Sequence, residues 1–355
     1  MAWPPTRNVP GTSRSAPANL VSSPAAWDPA GVLQRHADNP SAFLALNSDT
    51  RHFRVPGVDG LIAYRPAGGR FLVQFGGVAA DPVDADRLLD AFLATARQGG
   101  RRIVAVQLMR GDTDAYRLRG FRVNQFGSSY ALRLADHTLA GKPFMKLRNK
   151  ISRARRAGVE VAEVGVDVPR SPLLDARLAG VDQEWLRGKG AHTKELGFMV
   201  GERGGLGDGL RRLFVARRDD AILGYVSFSP VYGRTPGWLH DLSRRKPVAP
   251  PGTGELVTVT AIERFRAQGA AWLHFGLTPF AGLADDHELP GAASAIAAWA
   301  VRTLAERGDR LYPAADQLAY KLKWAPGLVQ PEYIAFQGRV SPRAVWALAR
   351  LTGAA

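Results

Sequence analysis

The sequence predicts an α/β (α+β) protein made of two copies of one unit, each a mixed β-sheet flanked by helices, joined by a basic helix. Three observations lead there. The order hairpin, helix, strand occurs twice along the 355 residues. The helix-to-strand junctions match: "ARQGGRRIVAVQL" (96–108) and "RAQGAAWLHFGL" (266–277) both stop a helix at Gln-Gly and enter an apolar strand. Between the copies lies "GKPFMKLRNKISRARRAG" (141–158), with seven Lys or Arg and no acid.

The elements follow in order. Residues 1–27 are rich in Pro, Ser and Ala and lack a continuous apolar stretch, so they read as a disordered leader rather than a secretory signal. The first unit spans 28–140. In it "GLIAYRPAGGRFLVQF" is a hairpin with a Gly-rich turn. "DPVDADRLLDAFLATARQGG" is a helix, opened by Asp-Pro, closed by Gly, with Leu88, Leu89, Phe92 and Leu93 on one face. "RRIVAVQL" is a buried strand. Residues 141–158 form the linking helix, with apolar positions 144, 147, 151 and 154 in a stripe and cations on the other faces. The second unit spans 159–340. "RRLFVARRDDAILGYVSFSPVYG" turns at Asp219-Asp220, "PGWLHDLS" is a strand, "TGELVTVTAIERFRAQGA" a helix and "AWLHFGL" a strand. Residues 341–355 are a tail helix.

Composition narrows the function. The chain is 46% hydrophobic and 22% charged, as a soluble globular protein is, and carries 47 Lys+Arg against 32 Asp+Glu. A net charge of +15 favours phosphate-bearing partners, nucleic acid or an anionic membrane surface, although GC-rich coding gives the same arginine excess. No cysteine is present, which removes disulfides, thiolate metal sites and a thiol nucleophile. The seven histidines have no metal-ligand spacing, so no metal is expected. The longest apolar helical run is short and broken by Arg302, so no membrane span is expected. The protein reads as cytoplasmic, with peripheral contact at the inner face of the membrane.

Four stretches carry candidate chemistry. In "APPGTGELV", Gly252, Thr253 and Gly254 open a helix whose free amides suit an anion, and Glu255 sits in the same first turn, where it also compensates the helix dipole. In "GWLHDLSRR", Asp241 lies at a strand end beside Arg244 and Arg245, either as a salt bridge or as a site in which Arg244 grips a phosphate bidentately. His240, next to Asp241, is a weak candidate base. In "YKLKWAP", Lys321 and Lys323 share a face if the segment is extended, and Tyr320 and Trp324 offer stacking surfaces for a base or sugar. In "QEWLRGKGAHTKELGF", Glu184, Trp185 and Glu195 lie on a glycine-containing loop. His192 and His274 read as structural.

The order of these motifs resembles the soluble C-terminal domain of phosphatidylglycerol lysyltransferases, the lysylphosphatidylglycerol synthase family. The resemblance covers about residues 31–338 and rests on "GKPFMKLRNKISRARRAG", "EWLRGKGAHTKELGF", "LHDLSRRKPVAPPGTGE", "LHFGLTP" and "YPAADQLAYKLKWAP...PEYIAF". It implies a tandem of two acetyltransferase-like (GNAT) folds, the second catalytic. It also implies transfer of an aminoacyl group, with lysyl the family's own, from aminoacyl-tRNA to phosphatidylglycerol or a small soluble hydroxyl or amine acceptor.

Under that resemblance Asp241, Glu255, Lys321 and Lys323 are the catalytic candidates and are expected to converge. Arg244, Gly252, Thr253, Gly254, Glu195, Tyr320 and Trp324 bind substrate. Lys146, Arg148, Lys150, Arg153, Arg155 and Arg156 contact tRNA. No cofactor is implied, because the aminoacyl ester is already activated. Two departures are expected to matter: none of these 355 residues reads as the family's membrane-embedded flippase part, and "KLKWAPGLVQPEY" lacks an acid between the lysines and a second tryptophan before Glu-Pro. The alternatives are a CoA-dependent N-acyltransferase of GNAT type and a non-catalytic tRNA- or membrane-surface-binding protein. Val248 stands where acetyltransferases usually carry Gln or Arg before the phosphate loop, which disfavours CoA.

Overall fold

The computed structural model describes residues 27–188, 199–307 and 314–351. Glu195, His192 and nearly all of the expected leader lie outside them.

Each copy is built the same way. The first contains the hairpin β2 (Gly60–Ala67) and β3 (Phe71–Ala80), helix α2 (Pro82–Gln98), strand β4 (Arg102–Met109), the short α3 (Thr113–Arg117) and the long β5 (Phe121–Arg133). The second contains β8 (Ala221–Val231), β9 (Gly237–Arg245), α6 (Thr253–Ala267), β10 (Trp272–Pro279), α8 (Ala314–Leu322) and β11 (Leu328–Gln337). Around them lie α1 (Pro29–His36), the 3-10 turn Ala42–Leu46, β1 (Arg51–Phe53), α4 (Met145–Arg156), β6 (Glu160–Glu163), α5 (Pro172–Gly188), β7 (Arg212–Arg218), α7 (Ala295–Arg307) and α9 (Pro342–Leu351).

Local chemistry sets the helix ends. Asp81 accepts from the Val83 amide at 3.0 Å and Pro82 opens α2, whose Leu88, Leu89, Phe92, Leu93 and Ala96 are buried. α4 buries Leu147, Ile151 and Ala154 against the second copy. Arg153, Arg155 and Arg156 lie in its last turn, where the helix dipole favours cations. α6 starts at Gly252 in a left-handed conformation (φ 92°). A Cβ there would lie 2.0 Å from the Lys150 carbonyl oxygen, so only glycine lets α6 meet α4 this closely.

The strands join in one eleven-stranded sheet of order β1-β2-β3-β4-β11-β5-β10-β9-β8-β7-β6. The parallel pairs β3–β4 and β9–β10 occupy equivalent places, each bridged by its copy's long helix. The last strands are exchanged. β11 of the second copy pairs with β4 of the first, and β5 of the first pairs with β10 of the second. The boundaries expected at 140 and 159 therefore separate chain segments and not sheets. Helices α2, α3, α4, α6 and α8 cover one face of the sheet. Helices α1, α5, α7, α9 and the 42–46 turn cover the other.

Aligning the copies on their Gln-Gly junctions and strand registers equates Gln74 with His240 and Phe75 with Asp241. It also shows a second echo, "AYRLR" (115–119) against "AYKLK" (319–323). In the first copy Tyr116 meets Gln74, and Arg119 binds Asp86 and Asp90 of α2. In the second, Tyr320 packs on His240, and Lys323 binds Glu255 of α6. Each copy thus holds its short helix by an aromatic set against the strand and an ion pair to the long helix.

Candidate active site

The four residues expected to converge fall into two groups. His240 and Asp241 are adjacent on β9 and point to opposite faces, as strand geometry requires. His240 packs against Phe228, Phe275 and Tyr320 on the α6 face. Desolvation lowers its pKa to about 4, and because it faces away from Asp241 it is not the base beside that carboxylate. Asp241 faces the 42–46 turn and α5. The expected convergence with Glu255 and the lysines does not occur.

On the α6 face, Glu255 accepts from Lys323 at 2.9 Å and lies 3.7 Å from Lys150. Burial pushes its pKa up, but Lys323, its own helix amide and Lys150 outweigh that and hold it below the usual value. The carboxylate therefore fills the positive end of α6, and Gly252 and Thr253 are buried beside it. Gly254 is partly exposed. Trp324 is fully buried, stacked on Phe275, and is core rather than a platform for a base. Tyr320 is half-buried and hydrogen-bonded to Thr258 at 2.9 Å.

Lys321 is different. β9 and β10 pair only as far as Leu239 and His274, then diverge. Just beyond that point Lys321 donates to the carbonyls of Gly276 and Leu277 at 2.7 and 2.9 Å. Its surroundings lower its pKa by desolvation, and the same desolvation raises that of Glu332, the buried carboxylate whose charge acts on it. Glu332, on β11, lies in the "PEYIAF" motif, but its neighbours are brought in by the strand exchange, so no role for it could be read from sequence.

The second group surrounds Asp241. A β-bulge places it between His240, paired with Phe228, and Leu242, paired with Ser227. Its side chain is fully buried, and Oδ2 accepts from Arg211 Nε at 3.2 Å. Arg211 also binds Asn47 Oδ1 at 2.8 Å and lies over Phe43, so the 42–46 turn of the first copy buttresses the site. Gly201 donates its amide to the Asp241 carbonyl at 3.0 Å, and a Cβ on Gly201 would come within 2.6 Å of the Asp241 carboxyl carbon. Burial raises the Asp241 pKa to about 6 despite Arg211. Arg244, on the same side, stacks 3.9 Å over Trp185 and lies 3.9 Å from Asp182, which holds Tyr225 and Arg203. Burial lowers the Arg244 pKa to about 10, still fully charged at neutral pH. Arg211, Asp182 and Arg203 were not singled out from sequence, since isolated charges scattered over thirty residues carry no pattern. Glu184 binds Lys246 at 2.7 Å at the edge of this group.

The helix α4 cations behave unequally. Arg148 donates to the carbonyls of Leu139 and Gly141 and so pins the linker. Lys150 is drawn to Glu255. Lys146, Arg153, Arg155 and Arg156 are exposed. Among the described residues no cluster of three or more His, Asp or Glu is placed to hold a metal. No described helix is long and apolar enough to cross a membrane.

A duplicated unit whose parallel strands diverge is a tandem acetyltransferase-like fold. The family description "Phosphatidylglycerol lysyltransferase, C-terminal" matches residues 30–336, and the chain belongs to that family. Curated relatives include the lysylphosphatidylglycerol biosynthesis bifunctional proteins LysX of Rhodococcus opacus (strain B4) and Rhodococcus jostii (strain RHA1). The first is 28% identical over 76% of this chain and 24% of its own length, the second 27% over 86% and 27%. The chain thus spans about a quarter of the length of these relatives. The fold is similar to that of L-PGS from Bacillus licheniformis (TM-score 0.74, 22% identity, covering 91% of this chain and 95% of that one). It is also similar to a C-terminal domain attributed to a lysylphosphatidylglycerol synthetase of Agrobacterium fabrum (TM-score 0.71, 24% identity, covering 91% and 93%).

Proposed function

We propose that this chain transfers an aminoacyl group, lysyl foremost, from aminoacyl-tRNA to a glycerol hydroxyl of phosphatidylglycerol at an anionic membrane surface. The observation that carries the reading is Asp241. A buried carboxylate stands at the strand divergence of the second copy where the first copy has Phe75. A fold gains nothing in stability from that exchange, because burying a charge is costly.

In the reaction the lipid hydroxyl oxygen attacks the ester carbonyl carbon. The bond to the ribose oxygen breaks, and the hydroxyl proton passes through Asp241 to the departing ribose. Arg244, held flat on Trp185, grips the lipid phosphodiester. The exposed cations of α4 take the tRNA backbone from the other face of the sheet, and the aminoacyl arm reaches Asp241 through the β9–β10 divergence beside Lys321. Lys321, with N–H groups already directed at carbonyls, stabilises the oxyanion of the tetrahedral intermediate. The CoA reading is disfavoured: Glu255 already occupies the positive end of α6 where a pyrophosphate would bind.

The test is incubation of the chain with labelled lysyl-tRNA and phosphatidylglycerol vesicles, followed by solvent extraction. Label should enter the lipid phase, and Asp241→Asn should cut the rate by roughly 10²-fold or more, as loss of a proton-transfer group does. Label confined to water-soluble products would overturn the lipid acceptor. Full activity in Asp241→Asn would overturn the site.

A further inference from the structure

The first copy has its own divergence. β3 and β4 pair from Phe71–Arg102 to Phe75–Val106 and then part. In open sheets this end of parallel strands is where ligands bind. Here it opens a cavity of about 250 Å³ on the same face as Asp241, bounded by β3, β4, α1 and the 42–46 turn. Its walls are polar and apolar in about equal measure, with Leu33, Ala42, Leu61, Ala63 and Phe75 supplying the apolar part. A bulge in β3 forms the rim, with Gly76 and Gly77 both left-handed (φ 71° and 81°). A Cβ on Gly77 would lie 3.0 Å from the Asp112 carboxyl group, so glycine is what lets that carboxylate lie over the bulge.

The polar groups around the cavity are nearly all committed. His36 binds Asp59 at 2.8 Å. Asn39 donates to the Gln107 carbonyl and accepts from the Ser41 amide. Asp38 is held by the Arg234 amide and guanidinium. Asp112 Oδ2 accepts from the Met109 amide at 2.8 Å. Its Oδ1 has no hydrogen bond among the described residues; the carboxyl group lies against Gly77, and Asp112 lines the cavity. A cavity with an apolar side formed by Phe75 and Ala63, and one carboxylate oxygen that no described residue hydrogen-bonds, suits a small cation with an apolar body. Burial and the nearby Asp38 raise the Asp112 pKa to about 6, with Arg234 opposing, so a bound cation would relieve a strained charge.

We propose that this cavity binds a short primary alkylammonium ion. The ammonium pairs with Asp112 Oδ1, and the alkyl chain lies on Phe75 and Ala63. The site is separate from the transfer centre and does not depend on the activity assigned to it.

Calorimetric titration of the intact chain with n-butylammonium chloride tests this, with n-butanol as the neutral isostere and sodium chloride as the ionic control. Butylammonium should bind saturably and at least about tenfold more tightly than butanol, the factor that one charge-assisted hydrogen bond confers. Asp112→Asn keeps an oxygen for the Met109 amide and should weaken butylammonium about tenfold while leaving butanol unchanged. Ala63→Leu should fill the cavity and abolish both. Melting curves report whether each variant is folded, and wild-type binding decides the matter alone if one is not. Equal affinity for the two ligands, no saturable binding, or undiminished butylammonium binding in folded Asp112→Asn would each overturn the site.

Discussion

Asp241 is a carboxylate kept from water on every side, and its pKa of about 6 has a sign that can be measured. The ordinary value is 3.8, so between pH 3.8 and about 6 the folded chain holds a proton that the unfolded chain has lost. Stability therefore falls as pH rises through that window, and the cost is fully present above it. Asp241→Asn removes this dependence. Its melting temperature relative to the parent should climb between pH 4.5 and 7, while activity is lost, as happens where a site trades stability for function. Activity of the parent should rise with pH through about 6, because the ionised form accepts the proton. A variant less stable than the parent at pH 7, or a flat activity profile from pH 5 to 7, would contradict the assignment. Asp241 was visible in the sequence as a charge in an apolar strand. What the sequence did not disclose was its partner, since Arg211 reaches it through a loop and Asn47 from the other copy.

At the scale of elements, the duplication makes an internal control. Lys323–Glu255 docks α8 on α6, and Arg119 with Asp86 and Asp90 docks α3 on α2. A clamp repeated in the copy that lacks Asp241 is architecture. Arg119→Ala should thus destabilise by about 0.2–1 kcal/mol, the range of exposed ion pairs, and Lys323→Ala by more, because Glu255 is buried. Neither should lower turnover more than a few-fold, whereas Lys321→Ala should lower it by about 10²-fold if it stabilises the oxyanion. A large turnover loss confined to Lys323→Ala would restore it to the catalytic group. Gly252→Ala should loosen the α4–α6 contact at a cost of about 1–3 kcal/mol for the left-handed backbone alone, read as a fall in midpoint denaturant concentration. The helices were legible because their stripes and Gln-Gly stops are local: Leu147, Ile151 and Ala154 are buried as their spacing required. The exchange of β5 and β11 was not, because an alternating strand carries no label for its partner. The expected pairing of Asp241 with Glu255 failed for a related reason. Strand alternation and the bulge decide which face a residue joins, and a one-residue bulge is invisible in sequence.

For the whole molecule the governing quantity is the net charge of +15, and its placement decides what binds. α4 lies on the outer side of α6, with no acid in its first turn and its buried stripe turned inward. Two of its cations are already engaged, Arg148 by linker carbonyls and Lys150 by Glu255. Under the proposed function, the remaining exposed set, Lys146, Arg153, Arg155 and Arg156, is what a tRNA backbone would neutralise. Binding of this kind releases condensed counterions, so the logarithm of affinity falls linearly with the logarithm of salt, by about 0.9 per phosphate contact on duplex. Replacing Arg153, Arg155 and Arg156 with Gln should therefore weaken tRNA binding at low salt and reduce the slope by about 2–3. Arg148→Gln should reduce the slope little and lower the melting temperature instead, because its work is to hold the linker. Filter binding across a salt series separates the two. If the triple variant keeps the parental slope, tRNA docks elsewhere. If Arg148→Gln alone removes a full unit with no loss of stability, the linker carbonyls release it when RNA arrives.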